Sequence, residues 1–523
     1  MSTFSTATLT PSTTSVLGAG AVAEHYPSVA RRLHDDVLTR AGDPGYQWWL
    51  THVMSAAGCS NPVRLRLNAT WHDGHGGAET ERVTDDMPDG LVYVACKNRR
   101  ASVCPSCAET YRQDTYHLVK AGLLGGKGVP ESVTGHPCFF VTLTAPAFGP
   151  VHSRVVGANG KVKPCRVRRS GTVCEHGKQV ICYQRHAEDD PQLGEAICLD
   201  CYDYDHQAVW NLHASELWRR TTMTLNRRLG KVAKERGAKI RLSYAKVAEY
   251  QRRGVVHYHA LIRLDGFDPD DRDAVLAPDP SLTPELVASH IEQAARITSL
   301  TTAAHPHNPI GWAIKWGDQI DVRQVRLTPA DCDDRGTLTT QAVAAYLAKY
   351  ATKATEVTGV VSRRLTAADA AAYAQLDTHQ TRQLLSCWRL GKRPLNCTTD
   401  DDITAWEDSP GSNLPGWGKL QKWAHMLGFG GHFSTKSRRY STTLGALRAV
   451  RRAYQRGETP PDPDQSPADA DPVAADPVVT LNWIFDGVGW LTIGDAALAN
   501  TAAAKARERR QIAKEETEET LAS

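Results

Sequence analysis

The sequence predicts an α+β protein, in which an antiparallel sheet with flanking helices carries a cysteine-rich insertion and is followed by a helical region. Runs of β-branched and aromatic residues indicate buried strands at 139–146, 240–248 and 255–264. An apolar stripe among many arginines indicates a long helix over 202–234. Strands and helices that interleave in this way are typical of an α+β fold.

The second and third of these strands are joined by Arg-Arg-Gly at 252–254, a short turn that predicts a β-hairpin. His257 and His259 lie one residue apart on the returning strand, so their side chains point to the same face. Imidazole suits Mn, Fe, Ni, Cu or Zn, and an adjacent acidic oxygen also admits Mg. Glu249, before the turn, is the candidate third ligand. On its own, a His-x-His pair is more often a hydrogen-bonded structural feature.

Residues 341–353 have the Ala, Leu and Lys content of a helix. Tyr346 and Tyr350 are spaced i, i+4 and share one face, and Lys349 and Lys353 form a second pair on the adjoining face. A tyrosine is a poor nucleophile at its usual pKa of about 10. It needs a nearby cation and a metal-polarised phosphodiester to attack, which the lysines and a histidine-bound metal would supply. The alternative is a helix that packs two aromatic rings on a core.

The Phe-Val-Thr-Leu-Thr strand at 140–144, the His-x-His strand and the Tyr-x-x-Lys-Tyr-x-x-Lys helix follow one another along the chain. This order resembles the three motifs of rolling-circle replication initiators of the HUH endonuclease class. The paired tyrosines are similar to the two-tyrosine subgroup, in which one tyrosine cuts and the other takes over the strand. The segment 425–444 and the cysteine-rich insert resemble the initiators of actinobacterial plasmids and integrative elements, over about residues 45–454.

The resemblance implies that the sheet is an HUH palm and that His257, His259 and Glu249 hold Mg or Mn. It implies that Tyr346 or Tyr350 attacks single-stranded origin DNA, leaving a 5′-phosphotyrosine and a 3′-OH that a host DNA polymerase extends. Which tyrosine cuts first stays open. The sequence has no Gly-x-x-x-x-Gly-Lys-Ser/Thr loop, so unwinding is expected to fall to a host helicase.

Thirteen cysteines in a chain without a secretory signal favour metal ligands over disulfides. Cys96, Cys104 and Cys107 have the spacing of a zinc knuckle, with Cys59 or His117 as the fourth ligand. A second pair of knuckles predicts a zinc-ribbon-like insert. Its firm members are Cys198 and Cys201, and the other two come from Cys174, Cys182, His176 and Cys165, in that order. One or two structural zinc ions are expected, and the cysteines without partners, Cys138, Cys332, Cys387 and Cys397, are expected to be ordinary buried thiols.

The net charge of +3 does not by itself indicate a nucleic-acid partner, but arginines cluster locally in the way that meets phosphates. The candidate DNA-binding residues are Arg252, Arg253, Lys436, Arg438 and Arg439. The last three follow a glycine-rich stretch at 428–431, which we interpret as part of an auxiliary DNA-binding segment.

Composition and motifs divide the chain into six parts. These are an unassigned N-terminal segment (1–44), a zinc-knuckle region (45–134), a nuclease domain (135–356) with the insert at about 160–205, a helical DNA-binding accessory region (357–456), a Pro/Asp-rich linker expected to be disordered (457–478) and a C-terminal helical tail (479–523). No apolar run long enough for a membrane span occurs, and the N-terminus lacks the pattern of a secretory signal, so a cytoplasmic protein without a membrane partner is expected.

Two other functions fit parts of the pattern. A conjugative relaxase or a single-strand transposase would share the HUH chemistry, although a relaxase usually carries a helicase or a long histidine triplet. A non-enzymatic, zinc-dependent DNA-binding regulator would use the cysteine groups and let the tyrosines pack.

Overall fold

The structure is a computed structural model that describes residues 27–72, 78–157, 159–167, 173–325, 340–351, 363–409, 412–456 and 478–522. Its helices are α1 (Pro27–Ala41), α2 (Tyr46–Val53), α3 (Pro105–Leu124), α4 (Tyr204–Glu235), α5 (Pro284–Ile297), α6 (Thr340–Ala351), α7 (Ala367–Tyr373), α8 (His379–Gly391), α9 (Asp400–Asp408), α10 (Gly418–Lys422), α11 (Leu444–Arg456) and α12 (Ile493–Ala522). Its strands are β1 (Val63–His72), β2 (Ala78–Arg82), β3 (Val92–Val94), β4 (Cys138–Leu143), β5 (Val155–Val156), β6 (Val162–Lys163), β7 (Ile240–Tyr250), β8 (Val256–Gly266), β9 (Ser299–Thr301), β10 (Ala313–Lys315), β11 (Ile320–Gln324), β12 (Ser434–Lys436) and β13 (Val478–Val488). Antiparallel sheets combined with helices confirm the predicted α+β class. Within the described ranges, no helix has the length and apolar character needed to cross a lipid bilayer.

The chain divides into two compact units, one of Met1–Gln113 with Gln465–Ser523 and one of Asp114–Asp464. In the first unit, β1 pairs antiparallel with β13 along its whole length. Arg40 of α1 also donates to Asp495 of α12 at 2.7 Å. This unit therefore joins segments from both ends of the chain, for which local sequence patterns predict separate parts: an N-terminal segment, a zinc-knuckle region and a tail.

The second unit contains a five-stranded sheet of order β11-β4-β8-β7-β12, in which neighbouring strands run antiparallel. The hairpin β7–β8 sets Glu249 opposite His257 and Val247 opposite His259. Gly254 has φ +76° in the turn, a conformation that L side chains rarely adopt. The predicted hairpin is present, and its register brings the carboxylate beside the imidazoles.

One face of this sheet packs on the long helix α4, which Asp203 begins by accepting a hydrogen bond from the backbone of His206. The ring of Tyr258 lies 6.1 Å from that of Trp218 on α4 and 5.6 Å from that of Trp316, all in the buried core. Alternation along β8 therefore commits Tyr258 to the core and its neighbours His257 and His259 to the opposite face.

The opposite face packs against α6 through four buried apolar residues of that helix, Val343, Ala344, Leu347 and Ala348. Deeper on this face, the buried Arg263 donates to Asp265 Oδ1 at 2.7 Å, and His136 Nδ1 contacts the same oxygen at 2.7 Å. A buried charge needs such partners. The network holds the C-terminal part of β8, after the two histidines, in place.

Strand β12 places part of the predicted accessory region in the five-stranded sheet. Ser434–Lys436, predicted to belong to a DNA-binding segment by its hydroxyl and cationic side chains, pairs with β7 as the edge strand of the five-stranded sheet. Arg263 reaches the carbonyls that follow, donating to Tyr440 O at 3.3 Å. The buried Tyr440 ring lies so close to Gly122 of α3 that a Cβ there would meet it at 2.2 Å. The segment after β12 is therefore built into the unit.

Candidate active site

The hairpin β7–β8 brings a carboxylate and two imidazoles together near its turn. Glu249 Oε2 lies 3.1 Å from His257 Nε2 and 3.4 Å from His259 Nε2, and the two Nε2 atoms lie 3.1 Å apart. Ligand atoms that share one ion at about 2.1 Å are about 3.0 Å apart in octahedral geometry and about 3.4 Å apart in tetrahedral geometry. The three atoms therefore fit a single divalent ion, and their mixed nitrogen and oxygen chemistry suits Mn or Mg.

Two residues of the neighbouring strand β4 contact the imidazole of His259. Thr142 Oγ1 lies 3.1 Å from His259 Nδ1, and the Phe140 ring stacks on the imidazole with centroids 5.6 Å apart. When the hydroxyl accepts the Nδ1 proton, the lone pair is left on Nε2, which faces Glu249. Thr142 was not among the predicted site residues. The signal was present in the sequence, because Phe140 and Thr142 alternate along the strand of the first motif.

The protonation states of the site suit metal binding. Burial lowers the pKa of His259, and this outweighs the hydrogen bond to Glu249, which raises it. Burial alone would raise the pKa of Glu249, but its contacts with the imidazoles of His257 and His259 hold it below its usual value. At neutral pH the carboxylate is therefore ionised and His259 is neutral, as metal ligands must be.

Removing the Thr142 hydroxyl while keeping its shape tests this support. We expect Thr142→Val to weaken apparent Mn affinity by about tenfold, because a partner that orients a ligating histidine contributes about that much. The measurement is calorimetric titration of the purified protein with Mn. Thr144→Val is the matched control, since Thr144 Oγ1 donates to a backbone carbonyl on Gln319. Equal effects of both substitutions would contradict the assigned role.

Helix α6 places one tyrosine on this centre. Tyr346 Oη lies 3.2 Å from His259 Nε2, and the Tyr346 ring meets His259 and Phe140 edge-on, with centroids 5.0 Å and 5.8 Å away. Tyr346 remains 36% exposed, so its side chain is accessible from solvent. The Tyr346 hydroxyl therefore lies beside the three candidate ligand atoms.

The other predicted catalytic residues are placed less fully. Lys349 lies exposed on α6, three residues after Tyr346. Tyr350 lies in the last turn of α6, and its side chain falls outside the described residues. Lys353 lies outside the described residues altogether. The roles of these three residues stay predictions.

The first cysteine group lies in the unit formed by the chain ends. The four sulfur atoms that could share an ion belong to Cys59, Cys96, Cys104 and Cys107. Cys96 Sγ lies 3.7 Å from Cys107 Sγ, and Cys104 Sγ lies 3.8 Å from Cys59 Sγ, close to the separation of thiolates around tetrahedral zinc, about 3.8 Å. Of the two fourth ligands left open, the structure brings Cys59 to the group.

The second cysteine group differs from the predicted set in one member. The structure gathers Cys174, Cys198 and Cys201 with His176, whose Nδ1 lies 3.3 Å from Cys201 Sγ. Cys182, the second of the four candidates for the open positions, is not in this group, and His176, the third, is. Cys182 lies with Cys165 in a third group completed by two histidines, because backbone hydrogen bonds between Arg166 and Cys182 hold those two stretches together.

The predicted DNA-binding residues mostly have structural partners. Arg252 and Arg253 donate to backbone carbonyls around the hairpin turn. Lys436 donates to three backbone carbonyls, and burial lowers its pKa. Arg439 pairs with Asp273, while Arg438 is exposed. Contact with DNA stays a prediction for all five, and the structure adds a positioning role for four of them.

Comparison with known proteins finds matches over nearly the whole chain. The family model described as "Replication initiator protein, pSAM2" matches residues 45–504. A replication initiator protein of Streptomyces ambofaciens is 38% identical over 501 residues, which cover 93% of this chain and 96% of that protein. No solved structure matches. The chain therefore belongs to the RepSA family of replication initiator proteins.

Proposed function

We propose that this replication initiator is a metal-dependent, site-specific nuclease and strand transferase that starts rolling-circle replication by nicking single-stranded origin DNA. The observation that carries the proposal is the tyrosine hydroxyl of Tyr346, 3.2 Å from His259 Nε2 in a Glu-His-His set. The antiparallel sheet, with its histidine strand at the centre and the tyrosine helix across it, is the arrangement expected of an HUH palm. An actinobacterial plasmid or integrative element is the proposed replicon.

Glu249, His257 and His259 would hold Mg or Mn, which would supply a Lewis acid for the scissile phosphate and stabilise its developing charge. The Tyr346 oxygen attacks phosphorus, so that an O–P bond forms and the bond from phosphorus to the 3′ oxygen breaks. The tyrosine proton passes to water and the leaving 3′ oxygen takes one from water. The products are a 5′-phosphotyrosine and a free 3′-OH.

The phosphotyrosine is an ester that a second nucleophile can displace, and this allows the circle to be resealed. Tyr350 follows Tyr346 by one turn of α6, and Lys349 presents a positive charge on the same helix. Tyr350 or the new 3′-OH is the proposed second nucleophile, and Lys353 the proposed partner of Tyr350. A host DNA polymerase extends the 3′-OH, and a host helicase unwinds the template.

The test is to incubate the purified protein with labelled single-stranded origin DNA and Mn, and then to map any covalently attached peptide by mass spectrometry. We expect a denaturant-resistant adduct on the peptide that contains Tyr346. No adduct should form when Mn is chelated before the DNA is added. Sequence-specific binding without an adduct, across several candidate origins, would favour the zinc-dependent regulator instead. Cleavage confined to a transfer origin would favour a relaxase.

A further inference from the structure

A third group of metal-ligand residues lies in the insert, apart from both cysteine knuckles. Its four ligand atoms lie within 4.8 Å of one another and belong to His152, Cys165, Cys182 and His186. His186 Nε2 lies 3.3 Å from His152 Nδ1 and 3.5 Å from Cys182 Sγ. Around tetrahedral zinc, two nitrogens are about 3.3 Å apart and a nitrogen and a sulfur about 3.5 Å apart. The geometry is that of a Cys2His2 zinc site.

The surroundings of this group match a structural zinc site. Ser153 N donates to Cys165 Sγ at 3.1 Å, a contact that disperses thiolate charge. His186 Nδ1 lies 2.7 Å from Asp190 Oδ2, which leaves Nε2 directed at the other ligands. His186 is fully buried. A buried imidazole held by a carboxylate on one side and facing thiols on the other is well oriented for a metal.

The loop that follows the ligand His186 contacts the turn of the β7–β8 hairpin. Arg252 Nη1 donates to the backbone carbonyl of Asp190 at 3.0 Å. Gly194 approaches the turn so closely that a Cβ there would lie 2.5 Å from the Arg252 carbonyl carbon. The turn separates Glu249 from His257, so the zinc group is connected through one loop to the strands that carry the candidate active site.

Between the insert and the hairpin lies a cavity of about 770 Å³. Its cationic lining residues are Arg154, Arg166, Arg252, Arg253 and Lys315. Arg166 directly follows the ligand Cys165, and its backbone pairs with that of Cys182 at 2.8 and 3.0 Å. Arg166 Nε is buried and has no hydrogen-bond partner in the part of the chain that the structure describes. The five cationic residues of the lining outnumber its one carboxylate, Asp318, and this charge points to an anionic ligand.

We propose that His152, Cys165, Cys182 and His186 bind a third zinc ion, which fixes the insert on the hairpin and so forms a basic groove that binds single-stranded DNA through its phosphates. One wall of the groove carries Arg154 and Arg166 from the zinc-held insert, and the other carries the turn of the hairpin. The DNA ligand rests on the proposed function. The zinc site does not.

The zinc site is tested by inductively coupled plasma mass spectrometry, which measures the number of zinc ions per chain in the purified full-length protein. We expect Cys182→Ser to hold one zinc ion fewer than the wild type. Cys182→His keeps a zinc ligand and is expected to retain the full content, and Cys397→Ser, whose thiol lies outside the three groups, is the control. An unchanged zinc content in Cys182→Ser, or loss of zinc from Cys182→His as well, would overturn the site. No DNA is present, so this result is independent of nicking.

The groove is tested with an oligothymidylate of about 20 nucleotides, which contains no origin sequence. The double substitution Arg154→Ala with Arg166→Ala is expected to weaken binding by about tenfold and to reduce the salt slope by about 1.4, with zinc content unchanged. Cys182→Ser is expected to weaken binding similarly. Arg296→Ala with Arg363→Ala removes the same charge outside the groove and serves as control.

Equal weakening by both arginine pairs, or none from the groove pair, would overturn the DNA groove. Zinc loss without weaker binding in Cys182→Ser would remove the link between the ion and the groove. If the groove substitutions weaken DNA binding but the wild-type protein forms no tyrosine adduct, the groove is supported and the nuclease proposal is rejected. The two proposals can therefore fail separately.

Discussion

Tyr346→Phe is expected to reduce nicking by at least about a thousandfold and to abolish the covalent adduct, because phenylalanine lacks the oxygen that attacks phosphorus. The substitution keeps the ring contacts with His259 and Phe140, whose centroids lie 5.0 Å and 5.8 Å from that of Tyr346. The fold should therefore be preserved. The measurement is single-turnover cleavage of labelled origin DNA in Mn.

A matched control for this substitution is Tyr373→Phe on α7, which removes a phenol away from the ligand set. Its cleavage rate, and the melting temperature of both variants, should equal those of the wild type. Unreduced nicking by Tyr346→Phe, with the adduct mapped to Tyr350, would assign the first cut to the second tyrosine.

The double substitution His257→Ala with His259→Ala is expected to remove metal-dependent cleavage, again by at least about a thousandfold, while binding to origin DNA is retained. The physical reason is that Glu249 is then the only one of the three ligands left, and one carboxylate cannot hold the ion in place. Cleavage as a function of Mn concentration and binding measured in a metal chelator separate the two effects.

His259 is buried, so its removal leaves a void beside Phe140 and costs stability. Glu249→Gln keeps the shape of the third ligand and changes only its charge, and it should raise the Mn concentration needed for half-maximal cleavage. His290→Ala on α5 controls for loss of an imidazole elsewhere. Full cleavage in the double variant would exclude the proposed metal site.

Local patterns predicted the parts of the fold that depend on local periodicity. The hairpin could be predicted because Arg-Arg-Gly lies between two β-branched runs, and the register that follows puts Glu249 opposite His257. The predicted strands and helices around the candidate site end within a few residues of those observed. The antiparallel sheet could be predicted because a short turn between two strands makes them run in opposite directions.

Long-range pairing could not be predicted in the same way. β12 has only three residues, Ser434–Lys436, and their polar side chains resemble those of a loop, so nothing local marks them as a sheet edge. His152 and His186 lie far apart in sequence and without knuckle spacing, and their grouping with Cys165 and Cys182 appears only once the insert is folded. Pairing of β1 with β13 could not be predicted either, because the two strands lie near opposite ends of the sequence and no local pattern links them.

The position of β12 at the open edge of β7 has a consequence for synthesis of the protein on the ribosome. The strand that carries Glu249 lacks its outer neighbour until Ser434–Lys436 have emerged, far later in translation. Until then the unpaired amides and carbonyls of β7 form an exposed edge that can pair with another nascent chain. Fragments from early termination before β12 are expected to aggregate, and nicking activity should arise only when most of the polypeptide has been made.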